Sequence, residues 1–172
     1  MLTNSFIFNP KRRLNRSFKN YLKHIIQFPF LRLGLWCGFL NIDYSYVHGD
    51  INRLFIGKNC STMNTLFNVI SGTVTIGDNT LFTHNCMVLT GIHNFYKGQL
   101  ASLHTPPHPE VPNHGRDIII GNGCFIGSGV IILGNVKIGD NVIIAAGSVV
   151  TKSIPSNCYV SGIPAKIISY HF

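Results

Sequence analysis

The chain has 172 residues, enough for one domain with a continuous core, and its 45% apolar content against 12% charged argues against a fully solvated monomer. Its net charge of +8 is unevenly placed: Lys11, Arg12, Arg13, Arg16, Lys19, Lys23 and Arg32 are half of the basic residues, and no Asp or Glu precedes Asp43. Such a segment either suits an anionic partner, whether lipid, nucleic acid or polyanionic sugar, or forms a solvated helix face.

At the N-terminus, Met1 to Pro10 lacks the charged region, apolar run and small-residue cleavage site of a signal peptide. The spacing predicts an amphipathic helix over Arg12 to Gln27, with Leu14, Phe18, Tyr21, Leu22, Ile25 and Ile26 on one side. Pro29 interrupts it. The apolar stretch Phe30 to Leu40 contains Arg32 and two glycines, too short and broken for a membrane span. Residues 1–50 therefore read as a helical, basic N-terminal cap. Two roles stay open for it: burying its apolar face on the first coil of the domain that follows, or lying on the inner membrane surface with residues 11–40 toward phospholipid.

The rest of the chain, residues 51–172, has a different rhythm. Ile56-Gly57-Lys58-Asn59-Cys60 and Ile76-Gly77-Asp78-Asn79-Thr80 are copies of one pattern, and Ile70, Ile76, Phe82 and Val88 stand six apart. Further on, Ile120, Ile126, Ile132, Ile138, Ile144 and Val150 keep the six-residue beat without a break. That period belongs to neither an α-helix nor a hairpin and is the signature of a parallel β-helix built from hexapeptides. The unit reads aliphatic-Gly-x-x-small-x, with the first and fifth side chains pointing inward. Gly, Asp and Asn turn the corners, where a positive φ costs them little. Three hexapeptides make a triangular coil of about 18 residues that adds roughly 4.8 Å of height. A solenoid of this kind has open ends and flat sheets to cover, so a homotrimer is expected.

Between Val88 and Ile120 the beat breaks, because 32 is not a multiple of six. The segment 94–116 carries Pro106, Pro107, Pro109 and Pro112 and cannot continue a hydrogen-bonded ladder, so it is predicted to project as a loop. Coils resume at Ile118 and run to about Pro155. The tail, 156–172, leaves the last coil and packs back along it.

Cys60, Cys86 and Cys124 fall on fifth, interior positions and read as small core residues suited to a reducing compartment. No CxxC pair points to structural zinc. Loop residues His104, His108 and His114 are placed to touch an acceptor, but the paired HxxxxH spacing of the zinc-dependent γ-type carbonic anhydrases, which share the prism, is missing; no metal is expected. His84 holds the same turn position as Asp78 and Asp140.

The run Ile138 to Lys152, which ends in Ala146-Gly147-Ser148-Val149-Val150-Thr151-Lys152, is followed by Ile154-Pro155 and by Gly162-Ile163-Pro164-Ala165-Lys166. In this it is similar to the hexapeptide-repeat acetyltransferases, in particular the branch with maltose, galactoside and nodulation-factor acetyltransferases and many surface-polysaccharide O-acetyltransferases. The likeness covers residues 51 to 168. It implies an all-β fold, a left-handed parallel β-helix of hexapeptide repeats with the N-terminal helical segment and projecting loop added. It also implies acetyl-CoA as donor and a site between subunits, while the expectation of cytoplasmic residence comes from the unpaired interior cysteines.

The resemblance places the catalytic histidine just before the loop, at His93 in Thr90-Gly91-Ile92-His93. The phase agrees if Ile92 takes the interior fifth position, which turns His93 outward. A neutral imidazole there can take the proton from a hydroxyl as its oxygen attacks the thioester. By position in the family pattern, Phe125, Ser128, Ala146, Thr151 and Lys152 line the pantetheine arm and phosphates, with Lys166 a further phosphate partner. Phe125 stands where relatives often carry Trp, keeping the stacking surface without the ring nitrogen. Acceptor contacts are expected from Asn64, Asn85, Asn94 and His114, although simple turn chemistry also explains Asn85. The reading that follows is O-acetylation of a sugar hydroxyl in a surface polysaccharide or its precursor. An amino-sugar N-acetyltransferase, an antibiotic acetyltransferase and a non-enzymatic scaffold are the alternatives. Nucleic acid is not expected, since no stacking platform accompanies the charge.

Overall fold

The computed structural model describes residues 6–8, 44–93 and 111–171, and these form a parallel β-solenoid of three sheets. The first sheet stacks β2 (Tyr44–His48), β5 (Leu66–Asn68), β8 (Met87–Leu89), β11 (Ile131–Leu133) and β14 (Val149–Val150), with β1 (Phe6–Phe8) paired in parallel to β2 at its edge. The second stacks β3 (Leu54–Ile56), β6 (Val74–Ile76), β9 (Ile118–Ile120) and β12 (Val136–Ile138). The third stacks β4 (Ser61–Thr62), β7 (Leu81–Phe82), β10 (Phe125–Ile126), β13 (Ile143–Ile144) and β15 (Cys158–Ser161), and is closed by β16 (Lys166–Tyr170), antiparallel to β15. The column continues past Pro155 through β15, where Cys158 and Val160 are buried, and only β16 turns back along it. The predicted helix over 12–27 and the apolar stretch 30–40 lie outside the described residues.

The six-residue beat becomes three ladders of aliphatic side chains inside the prism. Val47, Phe67, Val88, Ile132 and Val150 stack along the first sheet, and none is more than 1% exposed. Ile76, Ile120 and Ile138 do the same in the second, and Phe82, Ile126, Ile144 and Val160 in the third. Period-two alternation within each short strand sends the next residue outward, so Ile118 and Ile120 are buried while Ile119 is 43% exposed. Fifth-position residues Thr80, Cys86, Cys124, Val130, Val142 and Ser148 complete the interior. Phe67 and Phe82 meet edge to face, with centroids 6.0 Å apart.

The corner between the second and third sheets is held by a column of short polar side chains. The Lys58 N–H donates to Asp78 Oδ1 (2.7 Å), the Asp78 N–H to Asn122 Oδ1 (2.8 Å), the Asn122 N–H to Asp140 Oδ1 (2.6 Å), and the Asp140 N–H to Ser156 Oγ (3.0 Å). Each coil thereby satisfies a backbone donor of the one before it. The residue after each acceptor, or its equivalent, sits in the left-handed region: Asn59, Asn79, Gly123, Asn141 and Asn157 have φ from 53° to 64°. The second-position glycines have another reason to be there. A Cβ on Gly121 would lie 2.5 Å from Asp140 Oδ1 and 2.7 Å from the Gly139 backbone, so close approach of coils excludes a side chain.

Three expectations are corrected. The ladder begins at Tyr44, not near residue 51. Ile70 is half-buried, and Val69 takes the interior place beside it, fully buried. Coil length varies, which is why a strict beat misplaces residues: Ile56 and Ile76 stack 20 positions apart, Ile120 and Ile138 18 apart, and Ile138 and Ile154 16 apart. Ile92 is 39% exposed and Thr90 is the buried residue there. His93 is exposed, but not because its neighbour is interior.

Candidate functional site

The long insertion leaves and re-enters at the corner between the first and second sheets. Val88 and Ile132 are stacked partners 44 positions apart, whereas Ile132 and Val150 are 18 apart. The outgoing limb is pinned before it departs. Thr90 is fully buried; its N–H and its hydroxyl both donate to the Asn68 carbonyl at 2.9 Å, and its Oγ1 accepts the Ser71 N–H at 3.1 Å. Gly91 lies so close to Asn68 that a Cβ would be 2.6 Å from its Nδ2. Ile92 and His93 then emerge into solvent.

The returning limb is pinned more heavily. Arg53 Nη1 donates to the carbonyls of Asn113 (2.7 Å) and Ile70 (2.9 Å). His114 is exposed and shares a hydrogen bond with the Asn113 side chain through Nδ1. The Arg116 N–H donates to Ser71 O (3.1 Å), its Nε to Thr90 O (2.8 Å), and its Nη2 to Gly134 O. Asp117 Oδ1 accepts the Thr73 N–H (2.7 Å) and hydroxyl (2.8 Å). The Thr73 backbone and side-chain donors, aided by the positive charge of Arg53 and by His114, hold the Asp117 carboxyl below the ordinary carboxylate range against a smaller opposing effect of burial.

Two coils above Thr90 on this same corner, Thr151 and Lys152 are exposed. The remaining expected residues are elsewhere. Asn64 (φ 47°), Asn85 (φ 61°), Ser128 and Ala146 are exposed at the other end of the first sheet, on its corner with the third. Ser128 Oγ donates to Thr83 Oγ1 at 3.1 Å, and that hydroxyl donates to Ile126 O at 2.9 Å. Phe125, 41% exposed, stacks between Leu81 and Ile143 on the outer face of the third sheet, each 37% exposed. Lys166 is exposed at the start of β16. Asn94 lies outside the described residues. One chain therefore gathers His93, His114, Thr151 and Lys152 on one corner and Asn64, Asn85, Ser128 and Ala146 on another. A sheet width, roughly 10–17 Å of extended chain, separates them.

Sequence reasoning missed the residues that anchor the insertion: Thr90, Arg53, Arg116 and Asp117. A faint signal existed, because Arg116-Asp117 is a charged pair set immediately before the beat resumes at Ile118. Cys86, Cys124 and Cys158 are buried thiols whose pKa burial pushes up. Among the described residues no group of three or more His, Cys, Asp or Glu is arranged to hold a metal, and no helix is long and apolar enough to cross a membrane.

Residues 117–152 match the family model for the bacterial transferase hexapeptide (six repeats). The chain is 38% identical over 121 residues to galactoside O-acetyltransferase of Escherichia coli K12, a match covering 68% of this chain and 54% of that protein. It therefore spans about half the length of that relative. The solved structure of a galactoside acetyltransferase in complex with coenzyme A is 33% identical, with a TM-score of 0.62 over 73% of this chain and 59% of that one. A hexapeptide-repeat acetyltransferase of Vibrio cholerae complexed with acetyl coenzyme A is 26% identical, with a TM-score of 0.62 over 73% and 65%.

Proposed function

We propose that the chain, which is similar to the hexapeptide-repeat acetyltransferases, transfers an acetyl group from acetyl-CoA to a sugar hydroxyl of a surface polysaccharide or its precursor. The observation that carries the reading is His93: an exposed imidazole at the point where the chain leaves the column, on a limb anchored through Thr90. His93 takes the proton of the acceptor hydroxyl as its oxygen attacks the thioester carbonyl. The tetrahedral adduct collapses, the C–S bond breaks, and the imidazolium returns its proton to the leaving thiolate. No covalent enzyme intermediate is required.

The division of residues between two corners supports a site built at a seam between subunits. In a homotrimer, the corner of one protomer that bears His93 faces a neighbour's surface, and the pantetheine arm lies in that groove. Phe125, Ser128, Ala146 and Thr151 line the arm in this reading, and Lys152 and Lys166 meet the phosphates. Asn64, Asn85, Asn94 and His114 contact the acceptor. The solenoid is left-handed in this reading, the protein works in the cytoplasm, and its basic N-terminal segment either caps the column or rests on the inner membrane face.

The test is direct. The protein is incubated with acetyl-CoA and a panel of sugars and lipid-linked glycans, and products are read by mass spectrometry. A mass gain of one acetyl group on a sugar, lost in His93→Ala while acetyl-CoA binding persists, is the expected result. Near-full activity of His93→Ala, or acetylation confined to amines, overturns it.

A further inference from the structure

The guanidinium of Arg116 joins two successive coils at the corner from which His93 departs. Its Nε donates to the Thr90 carbonyl at 2.8 Å and its Nη2 to the Gly134 carbonyl, one coil higher. We propose that Arg116 is a positioning residue for His93, fixing the exit of the outgoing limb by holding the carbonyl of Thr90. The inference rests on the transferase reading above for its kinetic consequence, but not for its structural one.

The argument begins with Thr90. Its N–H and hydroxyl are committed to Asn68 O, which leaves its carbonyl, part of the peptide plane leading into Gly91, as the polar group of Thr90 still to be held. No strand of the ladder is available to that carbonyl, because the chain is leaving the column; Gly134 N–H, which lies above, pairs with Leu89 O instead. Arg116 supplies the missing donor. It reaches the site from the returning limb, whose own backbone is locked by Arg116 N–H on Ser71 O and, one residue later, by Thr73 on Asp117. The two limbs of the insertion are thus cross-braced through one side chain.

The fit around Arg116 is close. A Cβ on Gly72 would lie 2.6 Å from the Arg116 carbonyl carbon, and one on Gly134 2.4 Å from its carbonyl oxygen. Glycine on both sides lets the Arg116 backbone nest between coils, which aims the side chain. A planar fork with donors on separate nitrogens can serve two carbonyls at once; an ammonium offers a single point and cannot span both in the same geometry. Among the described residues the next two, Ile92 and His93, are both exposed. The direction of the imidazole is therefore set at Thr90, and Thr90 is set in part by Arg116. A misplacement of about 1 Å at a reacting group is enough for a rate loss on the order of 100-fold.

The experiment compares wild type, Arg116→Gln and Arg116→Lys by site-resolved amide hydrogen exchange and by steady-state kinetics. Exchange at Thr90 and Ser71, whose N–H groups are hydrogen-bonded at the exit corner, is expected to rise about tenfold or more in Arg116→Gln while the amides of β11 to β14 stay within about twofold. The kcat for acetyl transfer falls about 10- to 100-fold with the acetyl-CoA KM within about threefold, and Arg116→Lys recovers part of the loss. Unchanged exchange at Thr90 and Ser71, acceleration spread evenly through the column, or a loss that resides in the acetyl-CoA KM overturns the proposal. If Arg116→Gln does not fold, Arg116→Lys, which keeps the charge and the stem, decides by the same exchange readout. If the wild type transfers no acetyl group, the transferase reading fails by itself and exchange at Thr90 and Ser71 still decides the role of Arg116.

Discussion

Asp117 accepts both the backbone N–H and the hydroxyl of Thr73 on one carboxylate oxygen, at 2.7 and 2.8 Å. This pair ties the residue just before the resumed column to the coil beneath it and lowers the carboxyl pKa in the folded state. A depressed folded pKa contributes stability that is fully present above the unfolded aspartate value, about 3.9, and is lost as pH falls through the folded value. Asp117→Asn is therefore expected to be less stable than wild type at neutral pH, with the gap closing below about pH 4. Urea midpoints of both proteins from pH 2 to 7 check this. A gap that stays constant across the range contradicts it.

The interior ladders and the outward positions beside them should answer differently to truncation. Ile132 is fully buried in the first sheet, stacked between Val88 and Val150. Ile132→Ala is expected to cost about 2–5 kcal/mol. Ile119→Ser, at a 43% exposed position, should stay near about 0.5 kcal/mol. Chemical denaturation of the two variants provides the comparison.

Asn141 occupies the left-handed region at φ 53° and donates through Nδ2 to Asn157 Oδ1 at 3.1 Å. Asn141→Gly loses the side-chain bond but keeps the backbone at ease, whereas Asn141→Val forces a branched side chain into that region. The valine variant should lose about 1–3 kcal/mol and the glycine variant clearly less. Thermal denaturation ranks them.

Ser71 is fully buried and its hydroxyl has no hydrogen-bond partner among the described residues. An unpaired buried hydroxyl costs desolvation without return, so Ser71→Ala is expected to leave the melting temperature unchanged or raise it. A fall of several degrees would show that the hydroxyl is serving something.

Buried thiols Cys86 and Cys124 have a raised folded pKa, which reverses the sign found at Asp117. Their contribution is complete below the unfolded thiol value, about 8.5, and is lost as pH climbs beyond it. Both should resist an aromatic disulfide reagent in the native protein and react on unfolding. Thiol titration with and without denaturant measures this.

The column was legible because its determinant is local and repeated. Ile120, Ile126, Ile132, Ile138, Ile144 and Val150 each carry the same instruction, and all six lie inside with at most 1% exposure. Legibility failed where a corner departs from the repeat. Ile70 and Ile92 keep the phase on paper, but the lower coils are longer, so Val69 and Thr90 take the interior places. Counting by six cannot register an extra residue at a bend. His93 is singled out by the motif around it rather than by the beat; it is exposed, but not because Ile92 is interior. The roles of Arg53 and Arg116 were hidden for another reason: each acts on backbone carbonyls, which side-chain pattern does not record. The spread of the remaining candidates over two corners was likewise unreadable, since the beat specifies inside and outside but not which edge of the prism a turn occupies.

The direct stacking of Val88 on Ile132, of Ile76 on Ile120 and of Phe82 on Ile126 means that the halves of the protein on either side of the insertion are joined by three parallel ladders as well as by the peptide chain. A nick between those halves severs one covalent thread and leaves the ladders intact. The molecule is thus built like a split reporter, whose two fragments have every reason to find each other again.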